Sequence, residues 1–158
     1  MKYLPSPPGA APRVLRFQIA RLEKALLLAT LQLFPVLDPG CHRLTKDPKD
    51  AQPAEQRLLE DAMARLTLEH KGRLENFLRA EAPVFQEDGE ELYLNLSAEQ
   101  VEWLLQVLND IRVGSWVKLG SPDTDAVRRN TLTPEEVRSV AAMDMSGYFQ
   151  ACLLEAFK

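Results

Sequence analysis

Cysteine is scarce in this chain, which argues against a fold held together by disulfides. Only Cys41 and Cys152 occur in 158 residues. Two distant cysteines are typical of reduced thiols in a reducing compartment, whereas small secreted domains carry several closely spaced bridges. A chain of this length can bury roughly two thirds of its unfolded surface without covalent staples. We therefore expect no disulfide and a cytoplasmic location.

The sequence also lacks an apolar run long enough to cross a membrane. The longest apolar stretch, 25–37, contains Thr30, Gln32 and Pro35 and is shorter than the ~20 residues that a membrane helix needs. Residues 1–12 contain four prolines and no apolar core of the kind that a signal peptide requires. We expect 1–12 to be an irregular arm and 13–158 to be a single helical domain that does not enter a membrane.

An excess of basic residues, which polyanion binding requires, is missing as well. The 19 Lys and Arg residues are outnumbered by 23 Asp and Glu residues, so that the formal net charge is -4. Two small basic clusters are formed by Arg13, Arg16, Arg21 and Lys24 and by Arg128 and Arg129. Phosphate contacts call for a denser patch, and no helix-turn-helix pattern is present. The charge disfavours nucleic-acid binding, and a DNA-binding regulator remains a minor alternative.

No motif for catalysis or metal binding stands out. The soft metal ligands are Cys41, His42, His70 and Cys152. Their spacings match no zinc motif, and His70 and Cys152 lie on helix faces that we expect to be buried. A cysteine nucleophile would need a positioned base and a third orienting group, neither of which can be identified. We predict no metal, no cofactor and no catalytic residues, and keep a small-molecule-binding or catalytic protein as an alternative.

What the sequence does contain is one stretch, 97–120, that is apolar over most of a helix circumference. Ser97 is a suitable N-cap, and Gly120 followed by Pro122 ends the helix. Apolar residues occupy one face and both of its borders, so neighbouring elements should nearly enclose this helix. Its predicted buried face consists of Val101, Leu104, Leu108, Ile111, Ser115 and Leu119.

Other helices and two short strands should surround this central helix. Apolar residues recur three or four apart in the stretches 19–34, 53–81 and 133–157. Whether 53–81 forms one helix or two stays open. Alternating apolar residues in 13–17 and 90–96 indicate two strands that should pair, with the leucines of the second strand pointing into the core. The predicted fold is all-α: an orthogonal bundle of four to five helices around a central buried helix, with a minor two-stranded β element.

Two tryptophans flank the polar strip of the central helix. Trp103 and Trp116 lie at its opposite borders, and the strip between them includes Gln106, Asn109 and Asp110. Border aromatics are frequent interface anchors, so these five residues form the candidate interaction surface. The alternative is that both tryptophans belong to the rim of the core and are covered by neighbouring helices.

Arg112 lies towards the apolar side of the same helix and should need a partner. A guanidinium keeps its charge, and burying it without a partner is costly. Asp144, on the flank of the last helix, is the best-placed acid, so we predict a partly buried Arg112–Asp144 pair, with Glu23 or Glu155 as fallback partners. Alternatively, Arg112 bends along Trp116 and reaches water.

Several segments resemble an uncharacterised bacterial family that is known from actinobacteria. The segments that carry the resemblance are Leu94-Asn95-Leu96-Ser97-Ala98-Glu99, Trp103-Leu104 and Leu108-Asn109-Asp110-Ile111-Arg112. In that family, a strand of alternating leucines leads into a Ser-Pro-x-Glu helix start, a Trp-Leu pair and a Leu-Asn-Asp-Leu-Arg core. The end of the chain, 148–157, is similar to the family's closing helix. The resemblance is strong over 92–120, whereas the loop 121–131 differs.

The resemblance implies no activity, because this family is a domain of unknown function. Its genes often lie beside the gene for the ClpS-type adaptor of the Clp protease, which implies at most a link to protein turnover. From the residues and the resemblance together, we expect a non-enzymatic cytoplasmic protein-interaction module that binds a protein partner, with an accessory role in Clp-type proteolysis as a further expectation. A homodimer is one form that such a module could take.

Overall fold

Four helices and a four-stranded antiparallel sheet make up the part of the chain that the structure, a computed structural model, describes. The described residues are 1–5, 14–41, 52–79, 84–122 and 132–158. The helices are α1 (Arg21–Leu31), α2 (Pro53–Arg79), α3 (Ala98–Lys118) and α4 (Pro134–Leu154). The strands are β1 (Lys2–Leu4), β2 (Leu15–Gln18), β3 (Phe85–Asp88) and β4 (Glu91–Leu96). Short 3₁₀ turns follow at Pro39–Cys41 and Glu155–Phe157.

The prediction of an all-α fold is wrong, because the predicted pair of strands is the centre of a larger sheet. β2 and β4 do pair in antiparallel fashion, with Leu15 opposite Leu96 and Phe17 opposite Leu94. One edge strand lies on each side of this pair, in the order β1-β2-β4-β3. The fold is therefore an α+β fold. Residues 2–4, which were expected to be irregular, form β1, and residues 6–12 of the predicted arm lie outside the described residues.

β3 and β4 form a tight hairpin that adds the second edge. Asp88 pairs with Glu91, which leaves a loop of Gly89 and Glu90. Gly89 has a φ of +64° at the first loop position, where type II′ turns require glycine. The hairpin places Phe85 opposite Leu94, so that an aromatic side chain continues the apolar side of the sheet.

One face of the sheet closes the hydrophobic core. The alternating residues Leu15, Phe17, Leu92, Leu94 and Leu96 are each at most 6% exposed. The prediction that Leu94 and Leu96 point into the core is thus confirmed. On the other face, the guanidinium of Arg16 lies 3.6 Å from the centre of the Tyr93 ring. The period of two along each strand explains this separation of apolar from polar side chains.

α3 is the central helix, as predicted, and it packs most extensively against α4. A capping box starts it: Ser97 Oγ accepts a hydrogen bond from the Gln100 N–H at 3.1 Å, and Gln100 Oε1 accepts one from the Ser97 N–H at 2.8 Å. Its apolar face is completely enclosed, with Val101, Leu104, Val107, Leu108 and Ile111 each 0% exposed. The burial of this one helical face accounts for much of the core.

α2 is a single helix from Pro53 to Arg79, so the stretch that could have formed one helix or two forms one over its described residues. Only its last third joins the core, where the side chains of His70, Leu74 and Phe77 are buried. No residue in 53–69 is buried to that degree. None of the helices among the described residues is both long and apolar enough to cross a membrane.

Candidate interaction surface

The two tryptophans of α3 lie in different environments. The Trp103 side chain is 3% exposed, and its ring meets Phe77 of α2 edge-on at 5.7 Å between centroids. The guanidinium of Arg73 lies 5.1 Å from the same ring. Trp103 therefore belongs to the rim of the core, which is the alternative interpretation given above, and it does not lie on an exposed surface.

Trp116 is accessible, and its indole is held in place. The side chain is 40% exposed, and its Nε1–H donates a hydrogen bond of 3.1 Å to the Pro122 carbonyl oxygen. Val113 and Val117 are 44% and 40% exposed. They lie on the same side of the helix as Trp116, because positions that are three or four apart share one helix face. The three side chains present an apolar patch to solvent.

The polar residues predicted beside the tryptophans border this patch on the side towards the start of α3. Gln106, Asn109 and Asp110 are all exposed, and Asn109 Oδ1 accepts a hydrogen bond of 3.5 Å from Arg112 Nη2. A group of exposed apolar side chains with a polar border has the anatomy of a protein interface. We define the α3 outer face as Gln106, Asn109, Asp110, Val113, Trp116 and Val117.

The predicted buried pair of Arg112 and Asp144 is not present. Both residues are exposed, and Arg112 bonds to Asn109 on its own helix. Of the fallback partners, Glu23 binds other groups and Glu155 is exposed. The reason is that the buried side of α3 is turned towards Trp103, which leaves Arg112 in solvent and removes its need for a carboxylate.

Glu23 is the centre of a small polar cluster between β1, α1 and α4. Its carboxylate accepts short hydrogen bonds from the Met1 amine and from the Tyr148 hydroxyl, and a bond of 2.8 Å from the Ala20 N–H. Burial by itself raises the pKa of the Glu23 carboxyl, but these hydrogen bonds outweigh it and lower the pKa below its usual value. The bond to Glu23 raises the pKa of Tyr148. This cluster joins three elements.

The soft metal ligands do not meet at one place. Cys41 is exposed, Cys152 is buried, and both are free thiols. His70 is buried beside Phe34, with 5.9 Å between ring centroids, and His42 lies outside the described residues. Within the described part of the chain, no group of three or more His, Cys, Asp or Glu side chains could hold a metal ion.

The described basic residues near the N-terminus contact other side chains of the protein. Arg16 lies over Tyr93, Arg21 pairs with Glu87 at 3.5 Å, and Lys24 lies 4.5 Å from the centre of the Phe85 ring. Arg13, Arg128 and Arg129 fall outside the described residues. The three described basic side chains of this cluster therefore do not form a free cationic patch.

A pocket that the sequence did not reveal lies between the end of α1, the end of α3 and the start of α4. Its volume is about 440 Å³, which is within the usual range of small-molecule sites. Lys118 and Arg138 line it from two different helices, together with the hydroxyl-bearing Ser115 and Ser139. No sequence motif joins these residues, since only the packing of α4 on α3 brings them together.

Comparison of the chain with protein-family models, with curated proteins and with solved structures finds no match.

Proposed function

We propose that the protein is a non-enzymatic protein-interaction module that binds its partner through the α3 outer face. The exposed and oriented indole of Trp116 carries the proposal. A tryptophan that is already fixed by a hydrogen bond to Pro122 O loses little side-chain entropy on binding, and tryptophan is enriched among residues that dominate binding energy.

The neighbours of Trp116 supply the rest of a small interface. Val113 and Val117 extend the apolar centre, and both remain about 40% exposed or more. Gln106 and Asn109 offer side-chain amides that can donate and accept hydrogen bonds at the border. The partner should accordingly present an apolar side chain that is flanked by hydrogen-bonding groups.

The proposal also includes a cytoplasmic location and an accessory role in proteolysis. The free thiols of Cys41 and Cys152 support a cytoplasmic location, because such thiols persist in reducing compartments. An accessory role in Clp-type proteolysis rests only on the resemblance to the actinobacterial family and on the neighbouring adaptor gene in that family.

Site-specific photo-crosslinking tests the proposal. A photoreactive amino acid replaces Val113 within the α3 outer face or, as the matched control, Leu68, which is 72% exposed on α2. In the native host we expect a protein adduct from position 113 and none of the same mass from position 68. The captured protein is then purified and titrated calorimetrically with the parent chain and with Trp116→Ala and Leu68→Ala.

The expected result is binding by the parent chain, at least about tenfold weaker binding by Trp116→Ala, and unchanged binding by Leu68→Ala. Absence of an adduct specific to position 113, or equal affinity of Trp116→Ala and the parent, contradicts the proposal. If the crosslinked protein is a Clp subunit or a Clp adaptor, the result supports the accessory role. If it is an unrelated protein, the result contradicts that role but still supports the interaction module.

A further inference from the structure

The pocket between α1, α3 and α4 combines an apolar wall with cationic and hydroxyl groups. Leu33, Pro35 and Val36 from the end of α1 and the residues after it, with Ala142 of α4, supply the apolar part. Lys118 and Arg138 supply the charges, and Ser115 and Ser139 add hydroxyls. This pocket is separate from the α3 outer face, with which it shares no residue.

The two cations of the pocket have no partner among the residues that the structure describes. Neither Lys118 nor Arg138 forms an ion pair or a hydrogen bond with any described residue. Arg21, Arg73 and Arg79, by contrast, each lie within 4.0 Å of a carboxylate. In a chain with a net charge of -4, two unpaired cations that face one concave site attract an anion.

One acidic side chain limits the charge of that anion. Glu135 also lines the pocket, but no ion pair joins it to Lys118 or Arg138 within the described residues. Two cations and one carboxylate give the described residues of the lining a formal charge of +1. This charge matches a monoanion better than a phosphate dianion.

We propose that this pocket binds a carboxylate that is carried on a small branched apolar group. The planar fork of Arg138 suits bidentate hydrogen bonds to a carboxylate, and Lys118 adds a second charge-assisted donor. Ser115 is 2% exposed and lines the pocket, and its hydroxyl can donate a hydrogen bond to the ligand. Leu33, Val36 and Ala142 provide the surface against which the branched group packs.

Two sources could supply this chemistry: a free short-chain carboxylic acid, or the C-terminal residue of a peptide. Both present one carboxylate next to an aliphatic group. They differ at the carbon next to the carboxylate, which carries an amide nitrogen in a peptide and no nitrogen in a simple short-chain acid, so one titration series distinguishes them.

Calorimetric titration of the full chain tests the proposal with four defined probes. These are N-acetyl-leucine, its neutral carboxamide, isovalerate and inorganic phosphate. We expect saturable binding of N-acetyl-leucine or of isovalerate at millimolar or lower concentration, with neither the carboxamide nor phosphate binding comparably. Isovalerate as the tighter ligand indicates a free acid, whereas N-acetyl-leucine as the tighter ligand indicates a peptide C-terminus.

Variants locate the binding. Arg138→Gln and Lys118→Gln should each weaken binding by about tenfold or more, because each removes a charge-assisted hydrogen bond. Arg57→Gln, which removes an exposed cation from α2, is the matched control and should leave the affinity unchanged. Amide signals of Ser115 and Ser139 should shift during an NMR titration of the parent chain. The proposal is overturned by no saturable binding of either acid, by equal binding of acid and carboxamide, or by equal effects of Arg138→Gln and Arg57→Gln.

Discussion

α2 and α3 are both long amphipathic helices, yet they are used in opposite ways. Three of the 27 residues of α2 are buried, whereas eight of the 21 residues of α3 are buried. α3 packs against α4 and β4, so neighbours cover one whole face of the helix while the α3 outer face stays exposed. α2 reaches the core only in its last third, where His70 lies beside Phe34 and Phe77 contacts Trp103.

The difference between α2 and α3 shows that a helical repeat of apolar residues does not by itself determine which of their side chains are buried. The repeat of α2 continues through Leu59, Met63, Leu66 and His70, but complete burial begins only at His70, where the core is within reach. In proteins, most helix stability comes from tertiary packing of the apolar face. The first two thirds of α2 should therefore contribute much less to the free energy of unfolding than α3 does.

The largest expected contrast follows from truncating one leucine in each helix. Leu108 in α3 is 0% exposed, whereas Leu58 in α2 is 69% exposed. Leu108→Ala should lower the free energy of unfolding by about 3 kcal/mol or more, because it leaves a cavity in the core. Leu58→Ala should change it by less than about 0.5 kcal/mol. Urea unfolding followed by circular dichroism measures both, and similar losses for the two variants would contradict the contrast.

Identical substitutions of two glycines should have opposite signs. A Cβ at Gly114 of α3 would lie 2.8 Å from the Val36 Cβ, whereas a Cβ at Gly72 of α2 would have no neighbour within 4 Å. Gly72→Ala should stabilise the protein by about 0.5–1 kcal/mol through helix propensity. Gly114→Ala should destabilise it by about 1–3 kcal/mol, because the close approach of Val36 must be relieved. Chemical denaturation of the two variants side by side checks the signs, and stabilisation by Gly114→Ala would show that Val36 moves without cost.

The centre of the fold could be predicted from local signals, but its edges could not. The strand pair and the start of α3 follow from alternating leucines and from the Ser97 cap, which are both encoded within a few residues. β1 and β3 have only three and four residues, and neither has a run of alternating apolar residues like Leu92, Leu94 and Leu96 of β4. They become strands because β2 and β4 offer unpaired backbone groups at their outer edges.

The candidate site was predictable in part for a similar reason. Helical geometry places Trp103 and Trp116 at equivalent borders, so the sequence cannot tell which border a neighbour covers. α2 covers the border at Trp103, and that contact depends on tertiary packing. Likewise, Lys118 and Arg138 meet in one pocket only through the packing of α4 on α3.

The smallest expected effect concerns the contact where α2 meets the start of α3. Arg73 Nη2 lies 3.1 Å from Glu99 Oε1, with the two side chains 36% and 80% exposed. Solvent screens such a pair, so a double-mutant cycle with Arg73→Gln and Glu99→Gln should give a coupling of about 0.2–1 kcal/mol. The Arg79–Glu75 pair within α2, at 3.8 Å and with side chains 79% and 64% exposed, is the control and should give no more than about 0.5 kcal/mol. About 1 M NaCl should remove most of both couplings.

The single variant Arg73→Gln should still lower the free energy of unfolding more than Glu99→Gln does at about 1 M NaCl, because Arg73 also lies over the Trp103 ring. Equal costs of the two single variants at high salt would mean that the contact with Trp103 does not help to hold α2 against α3.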